Sequence, residues 1–218
     1  MSLFDDRHHA GRQLAEVLAD QSLGERPVVL GLARGGIPVA YEVAHELKLP
    51  LDVFVVRKLG VPFQPELAFG AIASGEVRIL NDDVVNAAGI DGETIARVTA
   101  EQRRELQRRE AYYRRGRDPV ALEDRCVLLV DDGIATGASM MAAIEGLRHQ
   151  HPQRIVGAIP VAPPRSCKKI ARKVDDMVCL RTPDPFGGVG AWYRDFGQTT
   201  DDEVRQLLDI AQNQAPTT

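Results

Sequence analysis

The sequence predicts an α/β fold in which a parallel open sheet is flanked by helices, within a single domain of 218 residues. Short apolar runs alternate with longer segments of helical periodicity, which is the order that βαβ units produce. The run Val127–Val130 is apolar at every position, as expected for a strand covered by helices on both faces. A hydrophobic content of 44% and a charged content of 27% are typical of a globular domain.

Most elements can be assigned from spacing and composition. Leu14, Val17 and Leu18 lie at helical spacing near the N-terminus and predict a helix. The continuous apolar runs elsewhere in the chain are too short for helices and predict strands. Residues 57–75 are rich in glycine and proline, so we predict a long flexible loop there, with room for a short hairpin into 77–80. The predicted helices lie at about 7–20, 37–47, 91–115, 140–147, 164–173 and 201–212, and the predicted strands at 27–32, 51–56, 127–130, 154–161 and 176–181.

The composition argues against several classes of protein. A net charge of −4 gives no general attraction to nucleic acid or to an anionic membrane, and no apolar run approaches the roughly 20 residues of a membrane span. The polar N-terminus does not resemble a secretory signal, so we expect a cytoplasmic protein. Cys126, Cys167 and Cys179 are widely spaced and form no CxxC pair, and the histidines show no metal-binding spacing.

The segment Cys126–Ser139 carries the most chemical information. Asp131 and Asp132 follow directly on a buried strand, and ligands of open α/β sheets bind at the carboxyl ends of strands. A turn of small residues comes next and opens a helix, so its backbone N–H groups and the helix dipole can hold an anion. The residues of this turn are Ala135, Thr136, Gly137, Ala138 and Ser139. A ligand that carries a diol and a phosphate, such as a ribose 5-phosphate, fits both halves of the segment.

The stretch Val130–Ser139, with the sequence VDDGIATGAS, resembles the signature with which type I phosphoribosyltransferases bind phosphoribosyl pyrophosphate (PRPP). The resemblance implies that Asp131 and Asp132 hold the ribose hydroxyls and bind Mg²⁺, the expected cofactor, through water. It also implies that the turn at 135–139 binds the 5-phosphate. The alternative is that the acids merely cap a helix, which needs only one acid and no Thr-Gly turn.

A glycine-rich turn, Gly31–Gly36, follows the first strand and opens a helix. As a dinucleotide fingerprint it is weak, because Ala33 replaces the second glycine, and a plain strand–helix turn is a further alternative. It resembles instead the pyrophosphate loop of the same family, which implies anion binding by Arg34 and by the N–H groups of Ala33, Arg34 and Gly35. This loop often contains a cis peptide bond in the family, and Ala33–Arg34 is the candidate by position.

Two cations, Arg57 and Lys58, follow the second strand and are expected at the same rim as Arg34. Surface cations are usually only solvated, but the resemblance places basic residues here against the diphosphate, as catalytic groups. The following segment, 59–70, resembles the catalytic loop that closes over the reacting centre and excludes water. For Glu66, a role toward the metal-bound diphosphate and a role toward a loop partner both stay open.

Residues 181–196 contain several prolines and glycines and four aromatic side chains, one of which is the single tryptophan. They resemble the variable hood that holds the acceptor base in the family, which we expect to span about 181–199 together with the N-terminal helix. A flat nucleobase would stack on Phe186, Trp192 or Tyr193. The alternative is an aromatic plug that closes the end of the sheet.

The helix predicted at 91–115 is densely charged. Glu105 precedes Arg108 and Arg109 by three and four residues, so ion pairs along an exposed helix are a better interpretation than nucleic-acid binding. A subunit contact is an equal possibility for this helix, and we expect a homodimer.

These features together predict a phosphoribosyltransferase, an enzyme that transfers a 5-phosphoribosyl group from PRPP to a nitrogenous base and releases pyrophosphate. A non-catalytic PRPP-binding regulator and a hydrolase of a phosphoribosyl compound are the alternatives. The acceptor base stays open. Ala135 stands where the oxopurine-using branch of the family carries an aspartate, so oxopurines are expected to be poor acceptors unless Asp184 or Asp195 takes over that role.

Overall fold

The computed structural model describes residues 4–62 and 64–214. In these ranges the strands are β1 (Val28–Leu32), β2 (Leu51–Phe54), β3 (Val56–Val61), β4 (Gln64–Ala73), β5 (Val77–Leu80), β6 (Cys126–Val130), β7 (Arg154–Val161) and β8 (Asp176–Arg181). The helices are α1 (Arg7–Ala19), α2 (Gly36–Leu47), α3 (Asp82–Ala87), α4 (Gly92–Arg114), α5 (Ala138–Arg148), α6 (Pro164–Ala171) and α7 (Asp201–Gln214). Five parallel strands form the central sheet in the order β2-β1-β6-β7-β8. The predicted α/β fold is confirmed.

Helices cover the central sheet on both faces. Alternate residues of β6 point to opposite sides, so that Leu128 and Val130 join the apolar cluster of α1, α2 and α7, whereas Val127 and Leu129 join that of α5 and α6. The carboxyl ends of β1 and β6 lie side by side, with Gly31 paired to Val130. None of the helices in the described ranges is long and apolar enough to cross a membrane.

The segment at 57–75, predicted as a long flexible loop, is instead mostly strand. β3 and β4 form an antiparallel hairpin, and β5 pairs with β4 to complete a second sheet. Leu59 and Phe69 are fully buried and anchor this hairpin to the core. The glycines and prolines that suggest a loop are accommodated by shifts of register around Gly60, which is what β-bulges allow.

The short helix α3 is not predicted from the sequence. The Asn81 side chain caps it by accepting a hydrogen bond from the backbone N–H of Val84 at 3.4 Å. No residue of α3 is buried, so it lacks the apolar stripe from which an amphipathic helix is recognised. Phe63 and the side chain of Glu66 lie outside the described residues.

The ion pairs predicted along α4 are confirmed. Arg108 Nε and Arg109 Nε each lie 2.8 Å from a carboxylate oxygen of Glu105. Hydrogen bonds from Arg108 and then Arg109 lower the pKa of Glu105 to about 2. These pairs lie near the surface, so their contribution to stability is small.

A buried network around Arg114 fixes the other face of α4 to the central sheet. Arg114 Nε lies 3.0 Å from Asp52 Oδ1, and Nη1 lies 3.1 Å from Glu110 Oε1. Arg114 Nη2 donates to the carbonyl of Val53 at 2.8 Å. Asp52 also accepts from the backbone N–H of Val120 at 3.0 Å. The charges of Asp52 and Arg114 are therefore paired and hydrogen-bonded, which is the condition for burying them.

Replacing Arg114 by alanine should destabilise the fold strongly. The carboxylate of Asp52 would stay buried without its cation, and breaking a buried pair in this way costs about 3–5 kcal/mol. The measurement is urea unfolding of Arg114→Ala beside Arg108→Ala, whose exposed pair should cost less than about 1 kcal/mol. Equal losses in the two variants would contradict the structural role of the buried network.

Candidate functional site

The carboxyl ends of β1 and β6 open into a cavity of about 500 Å³, which we call the central cavity. Its walls come from the start of α1, the turn after β1, the turn after β6 and the segment 196–199. The lining residues are Arg7, Leu32, Ala33, Arg34, Gly35, Val56, Asp131, Asp132, Ser139, Phe196, Gly197, Gln198 and Thr199. Six residues of the predicted site are among them.

The two acids of the predicted site, Asp131 and Asp132, stand together at the end of β6. The backbone N–H of Asp132 donates to Asp131 Oδ1 at 2.9 Å. Burial, followed by the charge of Asp132, raises the pKa of Asp131 well above its usual range. Burial also raises the pKa of Asp132, against the opposing effect of Arg7. The pair therefore favours a neighbouring cation or hydroxyl donor, which relieves the repulsion between the two carboxylates.

The turn after β1 packs directly against the acids. The Ala33–Arg34 peptide bond is cis, at the position that the resemblance implies. A Cβ atom on Gly35 would overlap Asp132 Oδ2, and one on Gly36 would lie 2.7 Å from the carbonyl oxygen of Val130. Only glycine allows this close approach, so these two glycines bring the first turn and the acids to one wall of the cavity.

The turn after β6 has the geometry expected of an anion-binding turn. Gly137 has a φ of 81° and stands at the N-terminal cap of α5, in a left-handed conformation that favours glycine. Ser166 Oγ donates to the carbonyl of Ala135 at 2.6 Å and holds the turn from α6. Thr136 is exposed, and Ser139 lines the central cavity. The turn thus presents backbone and hydroxyl groups beside the acids.

Arg57 and Lys58, which we expect at the same rim as Arg34, do not line the central cavity with it. Both residues lie in β3, where successive side chains point to opposite faces. Arg57 donates to Gln102 Oε1 from Nε at 3.0 Å and from Nη2 at 2.8 Å, and burial lowers its pKa. Lys58 lines a different groove, together with Thr136 of the turn after β6.

Phe186, Trp192 and Tyr193 are the residues predicted to hold the acceptor. In the structure they pack against each other and against the N-terminal segment. Tyr193 is buried, with ring centroids 5.3 Å from Phe4 and 4.9 Å from Phe196, and its hydroxyl donates to the carbonyl of Asp132. Trp192 Nε1 donates to the carbonyl of Phe186 at 2.8 Å. These contacts match the alternative of an aromatic plug. Among the described residues, the ring that lines the cavity is that of Phe196.

Sequence reasoning missed Arg7, which lies at the start of α1 and lines the central cavity. Its Nε atom is 2.8 Å from Asp132 Oδ2, and its Nη1 atom donates to the carbonyl of Gly197 at 2.7 Å. Its guanidinium carbon lies 3.9 Å above the centre of the Phe196 ring. The cap residue Asp6 predicts from the sequence where α1 begins. It does not predict which residues Arg7 contacts.

Two more residues missed by sequence reasoning lie behind Arg34. Arg34 Nη1 is 3.8 Å from Asp201 Oδ1 at the start of α7. The hydroxyl of Tyr113, which is fully buried on α4, donates to the same oxygen atom at 2.5 Å. Burial, followed by the hydrogen bond to Asp201, raises the pKa of Tyr113. These contacts orient Arg34 from outside its own turn.

The site suits a magnesium ion that is shared with a ligand better than a resident metal. The described residues contain no group of three or more histidine, cysteine, aspartate or glutamate side chains that could hold a metal ion by themselves. Mg²⁺ is commonly held by one or two carboxylates together with water and substrate phosphates. Asp131 and Asp132 supply such a pair next to a turn suited to phosphate, so the arrangement fits a phosphorylated sugar with its metal.

Comparison with known proteins agrees with this class of site. Residues 5–193 match the family model of the phosphoribosyl transferase domain, so the chain belongs to the phosphoribosyl transferase family. Two curated relatives from Mycobacterium tuberculosis, strains CDC 1551 and H37Rv, are each 54% identical over 211 residues, or 97% of this chain. Both carry a provisional name as phosphoribosyl transferases. The match covers 47% of each relative, so the chain spans about half their length.

The fold is also that of a solved structure. The crystal structure of TT1426 from Thermus thermophilus is 45% identical in sequence and has a TM-score of 0.82. The likeness covers 95% of this chain and 98% of that chain. The arrangement of sheet and helices described above is therefore found in an experimental structure of a related protein.

The contact between the first turn and Asp132 can be tested with Gly35→Ala. The added methyl group overlaps the Asp132 carboxylate, and forcing an extra carbon into a packed site typically costs about 1–3 kcal/mol. Gly92→Ala is the matched control, because its Cβ atom would meet nothing within 4 Å and alanine favours a helix. Urea unfolding should show a loss of stability in the first variant alone. Equal stabilities would mean that the turn moves away from Asp132 without cost.

Proposed function

We propose that this domain transfers the 5-phosphoribosyl group of PRPP to a nitrogenous base and releases pyrophosphate. The observation that carries the proposal is the convergence of three features on the central cavity: the paired acids, the turn that opens α5 and the turn after β1. Membership of the phosphoribosyl transferase family supports phosphoribosyl chemistry at this site. Because the chain spans about half the length of its curated relatives, the proposed activity is that of this domain.

Each feature has a role that follows from its chemistry. Asp131 and Asp132 would accept hydrogen bonds from the ribose hydroxyls, and the turn at 135–139 would bind the 5-phosphate through its N–H groups. Arg34 and the backbone of Ala33–Gly35 would stabilise the departing pyrophosphate. When bound, Mg²⁺ would neutralise charge on the diphosphate, with Asp131 and Asp132 holding its water ligands.

The reaction requires no nucleophile from the protein. The anomeric carbon of the ribose gains oxocarbenium character as pyrophosphate leaves, so the protein accelerates the step by positioning and by charge. Lys58 and Arg57 would reach the diphosphate only if the β3–β4 hairpin moves toward the cavity. Such a movement would give segment 59–70 the closing role that the sequence suggests, and it would exclude water from the donor.

The acceptor would enter on the side formed by Arg7 and Phe196–Thr199. A flat base would meet the part of the Phe196 ring that lines this wall, in place of the three aromatic residues predicted from the sequence, while the Arg7 guanidinium covers one face of the ring. Ala135 carries no polar side chain, so hypoxanthine and guanine should be poor acceptors unless Asp184 or Asp195 acts as the base. We further propose that the domain acts in the cytoplasm as a homodimer, a state that light scattering would detect.

Asp131→Asn and Asp132→Asn should each keep the fold and lose most of the turnover. A neutral amide replaces a charged acceptor, and a hydrogen bond to a charged group contributes about 1.5–3 kcal/mol, which corresponds to about tenfold to a hundredfold in rate. Turnover is measured as pyrophosphate release from PRPP with magnesium, and circular dichroism checks the fold. Full turnover in both variants would disprove the proposed role of the acids.

The proposed function itself is tested by PRPP binding and by an acceptor panel. PRPP with magnesium should raise the melting temperature, since ligand at one hundred times its dissociation constant stabilises the native state by about 2.7 kcal/mol. Pyrophosphate release is then followed with adenine, guanine, hypoxanthine and pyrimidine bases. Inorganic pyrophosphate without PRPP is the control for binding of an anion alone.

The outcomes separate three functions. Base-dependent release of pyrophosphate would confirm a transferase. Release without any base, with water as the acceptor, would indicate a hydrolase. Binding of PRPP without release would indicate a regulator, and an unchanged melting temperature at saturating PRPP and magnesium would exclude PRPP as the ligand.

A further inference from the structure

We infer that Arg7 is a positioning residue of the PRPP site, which acts by holding the carboxylate of Asp132 in place for the ribose or its metal-bound water. The inference rests on the proposed function and adds to it a residue from outside the signature segment. Arg7 lies 125 residues before Asp132, on the first turn of α1.

Three contacts of different kinds hold the Arg7 guanidinium at the wall of the central cavity. It forms the ion pair with Asp132, it donates to the carbonyl of Gly197, and it lies over the Phe196 ring. The Arg7 side chain is only 11% exposed and that of Asp132 only 14%. A guanidinium fixed in this way loses little freedom when it binds a carboxylate, unlike a solvated surface cation.

The adjacent acids require such a cation. Two carboxylates on consecutive residues repel each other, and burial strengthens the repulsion. In the part of the chain that the structure describes, Arg7 is the basic residue within salt-bridge distance of either acid. Its position places a positive charge beside Asp132 in the free protein, before any metal ion or ligand arrives.

The ion pair leaves the acid able to bind a ligand. Arg7 contacts only Oδ2 of Asp132, and an ionised carboxylate has two oxygens with about four lone-pair sites. Oδ1 therefore stays available to a hydroxyl group or to water on a metal ion. Arg7 also balances the charge of the cavity wall, which carries two carboxylates and, with Arg34, two guanidinium groups. Without Arg7 the wall would be net negative and would repel an anionic donor.

A purely structural role makes a different prediction. Arg7 also ties α1 to the segment around Gly197, so its loss could lower stability without affecting the bound ligand. The two roles are separated by measuring the dissociation constant of PRPP with magnesium in folded protein, rather than the melting temperature alone.

The experiment uses isothermal titration calorimetry on wild type, Arg7→Lys, Arg7→Met, Asp132→Asn and the double variant Arg7→Met with Asp132→Asn. Arg12→Met is the matched control, because Arg12 lies on the same helix, is half exposed and approaches Glu42 only to 3.7 Å. Arg7→Met should weaken PRPP binding about tenfold to a hundredfold. Arg7→Lys, which keeps the charge but not the planar fork, should weaken it less, and Arg12→Met should match wild type.

The double variant decides whether Arg7 acts through Asp132. If it does, the double variant should bind PRPP about as weakly as Asp132→Asn alone, because the two losses are not additive within one network. Fully additive losses, or wild-type affinity in Arg7→Met, would overturn the inference while leaving the proposed function intact. A wild-type protein that does not bind PRPP would overturn both.

Discussion

The burial of two consecutive carboxylates at the end of one strand is the constraint on which the rest of this site depends. Asp131 and Asp132 follow a strand with no exposed residue, and their negative charges cannot be solvated fully. Several neighbouring groups accommodate the two buried acids. The side chain of Arg7 supplies a cation, and the hydroxyl of Tyr193 donates to the carbonyl of Asp132. Gly35 and Gly36 leave room for the acids where any side chain would collide with them.

The site is therefore assembled from both ends of the chain. The backbone of Phe4 bonds to that of Trp192 and Arg194, so the N-terminal segment and the segment 189–199 are fixed to each other. This connection places Arg7 and Phe196 together over the acids. In consequence α1 is part of the cavity wall rather than a peripheral helix, and the aromatic residues at 186–193 pack against that end of the sheet.

The second sheet affects how the proposed closure of segment 59–70 over the site would occur. A flexible loop would have to lose conformational entropy in order to cover a ligand, whereas the strands β3 and β4 are already paired with each other, β4 is paired with β5, and Leu59 and Phe69 are buried. In the closure proposed above, a preformed element would move. Arg57 would have to leave Gln102 in such a movement, which links the position of the hairpin to α4.

The sequence by itself determined the central sheet, its flanking helices, the acids, the two small-residue turns and the family. These features are local, because a few consecutive residues encode a buried strand followed by acids and a glycine turn. Only the tertiary structure decided that Arg7 pairs with Asp132, that Tyr113 and Asp201 lie behind Arg34, and that Arg57 and Lys58 diverge. Such contacts join residues far apart in the chain, such as Arg7 with Asp132 and Arg34 with Asp201, or depend on the face of one strand, and neither distance in space nor strand pairing is visible in a single local pattern.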